Sequence, residues 1–460
     1  MANDTAAALE KVPFRVTDPE LIPAERYYDE EFFELERKHL WPRVWQMACR
    51  LEEIPNVGDY VEYTNLDKSV IVVNTKDGIK AFHNACRHRG VRLANGPGNC
   101  EEKGFVCPFH GWRWNAEGEN TFVFGRHIFD ERVLDRAEID LAPCRVETWG
   151  GCAFINHDPN APSLLDSLGP IATRLGARNA DKLKMDWWFG TVLPTNWKLA
   201  MEAFQEGYHV MQTHPQLHKL SPGSPHGADA DGWTPAPRET AREAVRQAID
   251  FYACIGDGMA GMVHQTEIDV LERMKDMEVP DDPMAAFMTI AEQANAEITK
   301  DGLERGAPMF DIPSVNAEHG MISVEYMFPH YFLLPTFAAM SSYRIRPLTP
   351  ETCFYEIWSL VLRPEDEEFE TPSEPTILPY DSPDFPEIPR QDYSNLPLQQ
   401  LGLHAGEFKY MRLAREQEGM ISNYQRLIDG YLAGLDDETL RKGQNIVNCG
   451  YDCPIHDIGF

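Results

Sequence analysis

The sequence predicts an α+β fold of two domains, a small all-β domain followed by a larger domain in which helices cover an antiparallel sheet. Short β-rich runs separated by turn residues fill 44–159, whereas helical patterns alternate with longer strand-like runs over 160–460. With 460 residues and 43% hydrophobic content, the chain is long enough for two cores. A helical segment at 1–43 precedes both domains, and we expect it to pack on the larger one.

The predicted elements of the first 159 residues follow from a change in the spacing of apolar residues along the chain. A helix is expected over 29–41, since apolar residues recur at helical spacing until Pro42 ends the pattern. After Val44 the pattern changes to short β-rich runs, and Asp77-Gly78 is a hairpin signal between two of them. The predicted strands are 45–49, 60–63, 69–74 and 79–84.

The larger domain is predicted to contain both helices and one main sheet. Four strand-rich runs between 321 and 362 indicate the antiparallel sheet, with prolines at turns or edges. The acidic, proline-rich stretch 364–397 is expected to be a long functional loop. The other expected elements are helices over 164–175, 196–213, 238–300 and 401–435, a strand near 187–189 and a loop over 217–237.

Composition limits the possible partners. The net charge of −31, from 73 acids and 42 bases, argues against binding to nucleic acid or to an anionic membrane. No 18-residue apolar run and no signal-peptide pattern occur, so we expect neither a membrane span nor secretion. Ten cysteines in 460 residues are too few for a disulfide scaffold, and a reducing cytoplasm is the expected compartment.

Two Cys-His elements carry the strongest chemical signal. Cys86 and His88 have one residue between them, and Cys107 and His110 have two residues between them. Two thiolates and two imidazoles are the ligands of a Rieske [2Fe–2S] centre. A Cys2His2 zinc site uses the same atoms, but zinc fingers pair Cys with Cys and His with His. The spacing therefore favours the cluster over zinc.

A second metal-site pattern lies in 196–215. On a helix, Glu206 and His209 share one face because they are three residues apart. Pro215 disfavours helical geometry at His214, so that imidazole can swing back beside His209. Two imidazoles with a nearby carboxylate make a transition-metal site. The alternative is a pair of ordinary helix histidines with a surface acid.

These two patterns together resemble the Rieske non-heme iron oxygenases, specifically the large alpha subunit of an aromatic ring-hydroxylating oxygenase. The resemblance is strongest at 86–112 and 197–215 and thin over 216–320. It implies a mononuclear Fe(II) site of two histidines and one carboxylate, with Asp392 as the third ligand beside His209 and His214. Asp381 and Asp384 are the rival carboxylates.

The resemblance also implies a role for Glu206. In the family, the acid at this position links the first histidine ligand to a cluster histidine of the neighbouring subunit. Glu206 would accordingly bond to His209 and, across an interface, to His110. Most members have aspartate here, and the glutamate form resembles oxygenases of quaternary amines, among others. The implied assembly is a homotrimer, alone or with a small beta subunit.

The implied function is that of a terminal oxygenase. NAD(P)H supplies electrons through a reductase, with or without a ferredoxin, and O2 oxidises the substrate at the mononuclear iron. We expect a hydrophobic aromatic or polycyclic substrate, because apolar residues dominate the expected pocket. A monooxygenase or demethylase of a quaternary amine or methoxy compound is the alternative within the family. An electron carrier or a zinc-stabilised binding protein is the alternative from another class. The expected pocket residues are Met201, Phe204, Met211, Phe328, Phe332 and Phe337.

Other cysteines and histidines are expected to be structural. Cys49, Cys144, Cys152 and Cys353 fit buried packing positions better than ligand positions. His218 and His226 fall in the expected loop over 217–237, where mobile loop histidines are commoner than metal ligands.

Overall fold

The structure is a computed structural model and describes residues 2–221, 239–259, 261–320, 322–451 and 453–460. The chain divides into two compact units. One comprises Trp41–Ser167, and the other comprises Met1–Leu40 with Leu168–Phe460. The predicted domain limits at 43 and 159 stay a prediction. Within the described residues, no helix is both long and apolar enough to cross a membrane. The cytoplasmic location also stays a prediction.

The strands are numbered in chain order. They are β1 (Leu21–Pro23), β2 (Gln46–Arg50), β3 (Asp59–Asn65), β4 (Lys68–Thr75), β5 (Gly78–His83), β6 (Gly98–Asn99), β7 (Phe105–Val106), β8 (Arg113–Trp114), β9 (Asn120–Phe122), β10 (Pro143–Trp149), β11 (Cys152–Asn156), β12 (Lys184–Leu193), β13 (Glu325–Met327), β14 (Tyr331–Pro335), β15 (Met340–Thr349), β16 (Thr352–Val361), β17 (Thr376–Ile377) and β18 (Tyr410–Arg412).

The α-helices are numbered in the same way. They are α1 (Ala2–Leu9), α2 (Glu30–Leu35), α3 (Arg136–Ile139), α4 (Leu164–Leu168), α5 (Pro170–Gly176), α6 (Trp197–Glu202), α7 (Val210–Thr213), α8 (Pro215–Leu220), α9 (Ala241–Gly258), α10 (Gln265–Arg273), α11 (Pro283–Glu304), α12 (Ile312–His319), α13 (Glu387–Leu403), α14 (Gly419–Leu432) and α15 (Asp437–Val447).

The smaller unit is built on an antiparallel sheet with the strand order β2-β11-β10-β5-β4-β3-β6, and β7-β8-β9 form a second sheet. Successive side chains of β4 point to opposite faces of the first sheet, as the two-residue period of a strand requires. Val70 and Val72 therefore enter one core. Ile71 and Val73 enter another core, which also contains Cys86 and Cys107. The all-β prediction for this part of the chain is confirmed.

The larger unit is centred on a sheet of order β13-β14-β15-β16-β12-β17. Neighbouring strands are antiparallel except β12 and β17. The long strands β12 and β16 pair over their whole length, and Trp188 stacks on Trp358 across them. Helix α9 packs against α11, and α6 packs against β15 and β16. The predicted antiparallel sheet with helices is confirmed.

Buried ion pairs tie the N-terminal segment to the helices of the larger unit. The Lys198 ammonium lies 2.6 Å from the Glu36 carboxylate, and both side chains are fully buried. Arg26 donates to Asp429 at 2.5 Å and to Gln425 at 2.8 Å. Removing one partner of such a pair leaves a buried charge uncompensated, which costs about 3–5 kcal/mol. The Lys198–Glu36 pair holds α6, from which the metal-site segment continues, and the Arg26 contacts hold α14.

Several expected elements differ from the structure. The region expected to be helical over 238–300 consists of α9, α10 and α11, and the described start of the loop expected over 217–237 lies in α8. The helix expected over 196–213 is interrupted, because α6 ends at Glu202 and turns occupy 203–209 before α7. The stretch 364–397 is not loop throughout, since α13 covers its end despite Pro397 inside the helix. The helix expected over 401–435 is broken by turns and β18, and within that range α14 is the helix that follows Leu403.

Candidate metal centres

The two Cys-His loops of the smaller unit share one construction. The amide of Gly90 donates to the Cys86 carbonyl at 2.8 Å, and the amide of Gly111 donates to the Cys107 carbonyl at 2.9 Å. Both glycines have positive φ, +78° and +71°, which a side chain would disfavour. Each loop is thus a tight turn that returns the chain four residues after its cysteine.

The ligand atoms of these loops are arranged for a shared metal group. The rings of His88 and His110 have centroids 4.7 Å apart, and His88 stacks on Trp112 at 5.0 Å. Cys86 and Cys107 are buried. The Nδ1 atoms of both histidines are buried and make no hydrogen bond to the part of the chain that the structure describes. A buried polar atom without a partner is costly, so the residues fit a cluster bound through both Nδ1 atoms.

Backbone amides favour the thiolate at Cys86. Burial raises the pKa of this thiol, whereas hydrogen bonds from the amides of His88 and Arg89 lower it. Amides directed at a ligating sulfur also tune the potential of an iron–sulfur cluster. The loop therefore supplies more than the four ligating side chains.

The second candidate centre brings together His209, His214 and Asp392. Their ligand atoms all lie within 4.8 Å of one another. The Nε2 of His214 is 3.1 Å from Asp392 Oδ1, and the Nε2 of His209 is 3.8 Å from the same oxygen. His214 has non-helical backbone angles and precedes α8, as Pro215 predicts. Asp392 lies on α13, in contrast to the loop position that the sequence suggested.

Hydrogen bonds at the opposite ring nitrogens orient both imidazoles. Nδ1 of His209 donates to Glu206 Oε1 at 2.8 Å, and Nδ1 of His214 donates to Gln391 Oε1 at 2.7 Å. Each Nε2 is therefore left as the acceptor that faces Asp392, which is the arrangement of a metal-ligating histidine. The donor set, two imidazoles and one carboxylate on one side, fits a non-heme iron with open positions.

Glu206 acts on His209 through both of its oxygens. Oε1 accepts a hydrogen bond from the His209 ring, and Oε2 accepts one from the backbone amide of His209 at 2.9 Å. Burial lowers the pKa of His209, but the hydrogen bond and charge of Glu206, together with Asp392, outweigh burial and raise it. Glu206 and His209 are held together by a turn and not by the helix face that their spacing suggested.

Sequence reasoning missed Gln391 and Gln216. Gln391 precedes Asp392 on α13, and its side-chain oxygen also accepts from Gln216 Nε2 at 2.8 Å. No local pattern marks these glutamines, because their role depends on the approach of α13 to α8. The rival carboxylates Asp381 and Asp384 are exposed and lie outside the three-residue group. His218 is buried on α8 and is not part of it, and His226 lies outside the described residues.

Two cavities of the larger unit reach this centre. One has a volume of about 230 Å³ and a mainly apolar wall, and the other, of about 320 Å³, includes Glu202, Glu206 and Arg412. Of the expected pocket residues, Phe204 alone lines the apolar cavity. The prediction is wrong for Met201, Met211, Phe328, Phe332 and Phe337, which do not line it. The described lining residues of the apolar cavity are Ala203, Phe204, Glu206, His209, Val210, His214, Leu217, Phe251, Ile255, Met259, Met262, Ser323, Val324, Leu334, Ile388, Asp392 and Tyr451.

A cluster domain and a two-histidine, one-carboxylate centre in one chain define the class of Rieske-type iron oxygenases. Family models agree with this class. Residues 44–122 match the Rieske [2Fe-2S] domain, and residues 173–434 match the catalytic domain of the ring hydroxylating alpha subunit. The chain belongs to the ring-hydroxylating oxygenase alpha subunits, which carry a Rieske cluster and a mononuclear iron.

Curated relatives are similar over part of their length. The carnitine monooxygenase oxygenase subunit of Escherichia coli (strain K12) is 32% identical over 197 residues, which cover 42% of this chain and 52% of that protein. The glycine betaine monooxygenase oxygenase subunit of Pseudomonas aeruginosa (strain UCBPP-PA14) is 31% identical over 43% of this chain and 46% of its own length. The 2-aminobenzenesulfonate 2,3-dioxygenase subunit alpha of Alcaligenes sp. is 31% identical over 43% of this chain and 50% of its own length. The matches thus span about half of each relative.

A solved structure of a naphthalene 1,2-dioxygenase variant bound to phenanthrene is similar over nearly the whole chain. It has a TM-score of 0.64 and 20% sequence identity, and the match covers 94% of this chain and 96% of that one. At this identity the likeness shows the fold, and it agrees with the fold class that the sequence predicts.

Substituting Glu206 tests its contact with His209. We expect Glu206→Gln to retain iron at both centres, because Gln preserves the shape and an acceptor oxygen. The loss of the carboxylate charge should slow electron transfer to the mononuclear iron by at least about tenfold. The measurement is the rate of cluster reoxidation in a single turnover with O2 and substrate. Glu416→Gln, at an exposed acid, is the control, and an unchanged rate in Glu206→Gln would contradict the role.

Glu202 predicts a pH dependence of stability. Burial raises its pKa to about 7, although Gln425 and Tyr27, which donate hydrogen bonds to it, and the charges of Lys198 and Arg26 lower it. A carboxyl with a raised pKa binds its proton more tightly in the folded state. The contribution of Glu202 to the free energy of unfolding is therefore full when the pH is below its ordinary pKa of 4.5. This contribution is lost as the pH rises through about 7.

We accordingly expect Glu202→Gln to be more stable than wild type at pH 8, by about 3 kcal/mol, and by less than about 1 kcal/mol at pH 5. Urea denaturation at the two pH values measures the difference. Glu416→Gln is again the control. An equal difference at both pH values would show that Glu202 does not titrate in this range.

Proposed function

We propose that the chain is the oxygenase component of a system in which O2 and electrons from NAD(P)H oxidise a small organic substrate. A reductase, with or without a ferredoxin, delivers the electrons. The observation that carries the proposal is the presence of two centres with complementary donor sets. Cys86, His88, Cys107 and His110 would hold the [2Fe–2S] cluster, and His209, His214 and Asp392 would hold the iron. Iron bound there supplies the activation of O2.

The protein residues define where this chemistry takes place. Gln391 and Glu206 hold the two imidazoles with Nε2 directed at Asp392. A substrate that fills the apolar cavity would exclude water from one side of the triad, and Phe204 and Leu334 form part of the cavity wall. Exclusion of water limits the loss of reactive species to solvent.

We further propose a homotrimer in which Glu206 connects the iron centre to His110 of the neighbouring chain. Both Glu206 oxygens already accept from His209. A carboxylate offers about four acceptor positions, so an additional imidazole N–H can be accommodated. A small beta subunit is compatible with this assembly.

For the substrate we propose a quaternary amine. The carnitine and glycine betaine oxygenases among the relatives favour this class. Three aromatic rings, Phe204, Phe251 and Tyr451, are in the cavity wall, and the faces of such rings attract ammonium groups. The described part of the wall contains Glu206 and Asp392 but no lysine or arginine. An ammonium group is therefore favoured there over an anionic one.

A pair of isosteric compounds tests the substrate class. Choline carries a trimethylammonium group, and 3,3-dimethylbutan-1-ol has a neutral tert-butyl group of the same shape. With reductase and NADH present, we expect kcat/KM to be at least about tenfold higher for the cation, as a desolvated cation–π contact allows. Equal values would overturn the amine proposal, and no substrate-dependent O2 consumption with any compound would overturn the oxygenase proposal.

An aromatic substrate is the second candidate, and the apolar cavity is the observation that favours it. Leu217, Ile255, Met259, Val324 and Leu334 surround about 230 Å³ with hydrocarbon, which suits a flat apolar ring. In the same assay, faster oxidation of indole or naphthalene than of choline would support this candidate. Analysis of the products then distinguishes monooxygenation from dihydroxylation.

A further inference from the structure

A third group of metal-ligating side chains lies in the smaller unit and includes none of the four cluster ligands. It consists of His83, Cys144 and His157, whose ligand atoms all lie within 4.8 Å of one another. The Cys144 sulfur is 3.9 Å from Nδ1 of His157, and the two imidazoles are stacked with centroids 5.5 Å apart. Neither centre described above uses these residues.

The strand register explains why the three residues meet. Strands β11, β10 and β5 are neighbours in one sheet. Cys144 on β10 pairs with Ala81 on β5, so His83, two residues further on, is on the same face of the sheet. Arg145 pairs with Asn156, so His157 follows β11 at the position opposite Cys144. The group is therefore fixed by the sheet itself.

The protonation states of the two imidazoles, His83 and His157, suit a divalent metal. Burial is the largest cause that lowers the pKa of both imidazoles, to about 4 for His157, with the charge of Lys68 acting in the same direction. Arg87 also lowers the pKa of His83, and Asp67 acts in the opposite direction on His157. The rings are thus neutral at pH 7, which is the ligating form.

Cys144 must lose a proton when a metal binds. Its sulfur is almost fully buried, and burial raises the pKa of the thiol to about 12. In the unbound state the thiol donates to the carbonyl of Asn156 at 3.4 Å. Binding would break the S–H bond, form a metal–sulfur bond and release one proton to solvent. A thiolate with two imidazoles is a ligand set that zinc accepts, with water at the fourth position.

We propose that His83, Cys144 and His157 form a zinc site that links strands β5, β10 and β11. In tetrahedral zinc, sulfur and nitrogen ligands are about 3.6 Å apart, as the metal–ligand lengths require. The 3.9 Å between Cys144 and His157 is close to this value. The bound metal would join three strands of one sheet and keep one open position for water.

Cobalt as a zinc substitute provides the test. Co²⁺ is added stepwise to protein whose iron centres are both loaded, and the thiolate-to-cobalt charge-transfer absorption is followed in difference spectra. The proposed iron centre has no sulfur ligand, and the cluster cysteines are already occupied, so the band does not come from either iron centre, and the Cys144→Ser variant identifies its source. We expect one saturable equivalent per chain, displaced by Zn²⁺, with release of one proton per metal.

Matched variants identify the ligands. Cys144→Ser should abolish the band, and His157→Gln should weaken binding by at least about tenfold. Cys152→Ser is the control, because Cys152 is a buried thiol of the same β10–β11 hairpin outside the group. If Cys144→Ser does not fold, His157→Gln tests the proposal in its place, because His157 lies beyond the end of β11. Absence of a saturable band in the wild type, or an unchanged band in His157→Gln, would overturn the proposal.

Discussion

Asp392→Ala is expected to lose the mononuclear iron and retain the cluster. Asp392 Oδ1 is the common neighbour of both Nε2 atoms, at 3.1 Å from His214 and 3.8 Å from His209. Without it, two imidazoles remain, and no other carboxylate of the described chain belongs to the group. Turnover should fall at least about 1,000-fold, because the centre that activates O2 is lost. Iron content and substrate-dependent O2 consumption are the measurements.

Asp384→Ala is the matched control for this prediction. Asp384 lies eight residues earlier in the same acidic region, is exposed and contacts Ser382. The Asp384→Ala protein should retain iron and activity. Loss of iron from Asp384→Ala with full retention in Asp392→Ala would move the third ligand to the exposed loop and contradict the geometry.

Cys107→Ser is expected to abolish the cluster and leave the mononuclear centre loaded. Serine is a poor substitute for a thiolate ligand of iron, and the sulfur of Cys107 is buried, which keeps donors from solvent away from this position. Substrate oxidation with NADH and reductase should fall at least about 1,000-fold, because electrons no longer reach the iron. The visible spectrum and the iron count distinguish loss of the cluster from unfolding.

Cys100→Ser provides the control within the same core. Cys100 is as buried as Cys107 and packs in the same apolar cluster, but it is outside the two ligand loops. Its substitution should alter stability and leave the cluster spectrum unchanged. A Cys107→Ser protein with an intact cluster spectrum would contradict the assignment of the ligand.

Local signals explain what the sequence could predict. The alternation in β4 and the Asp77-Gly78 turn define the hairpin of the smaller unit, because the two-residue period and the turn type are local properties. The Cys-His loops are equally local, since a glycine with positive φ and both ligand types occur within five residues. The family resemblance then predicted Asp392 as the third iron ligand, which no local pattern identifies.

Features that depend on long-range contacts were not predictable in the same way. Proline and acidic residues suggested a loop around Asp392, yet α13 forms there and packs against α9. Packing outweighs the unfavourable Pro397 in this helix. Gln391 and the group of His83, Cys144 and His157 arise only when separate strands or helices meet. The expected helix likewise ends at Glu202, and Glu206 contacts His209 within the turns that follow.

The family match and the two donor sets assign a Rieske cluster and a separate mononuclear iron to one chain. The most direct test is an EPR spectrum of the anaerobically reduced protein, with iron and zinc counted on the same sample. We predict a rhombic signal of a histidine-ligated [2Fe–2S] cluster and about three irons per chain. Zinc in place of iron at the Cys-His loops, without an EPR signal, would contradict the claim and with it the proposed oxygenase function.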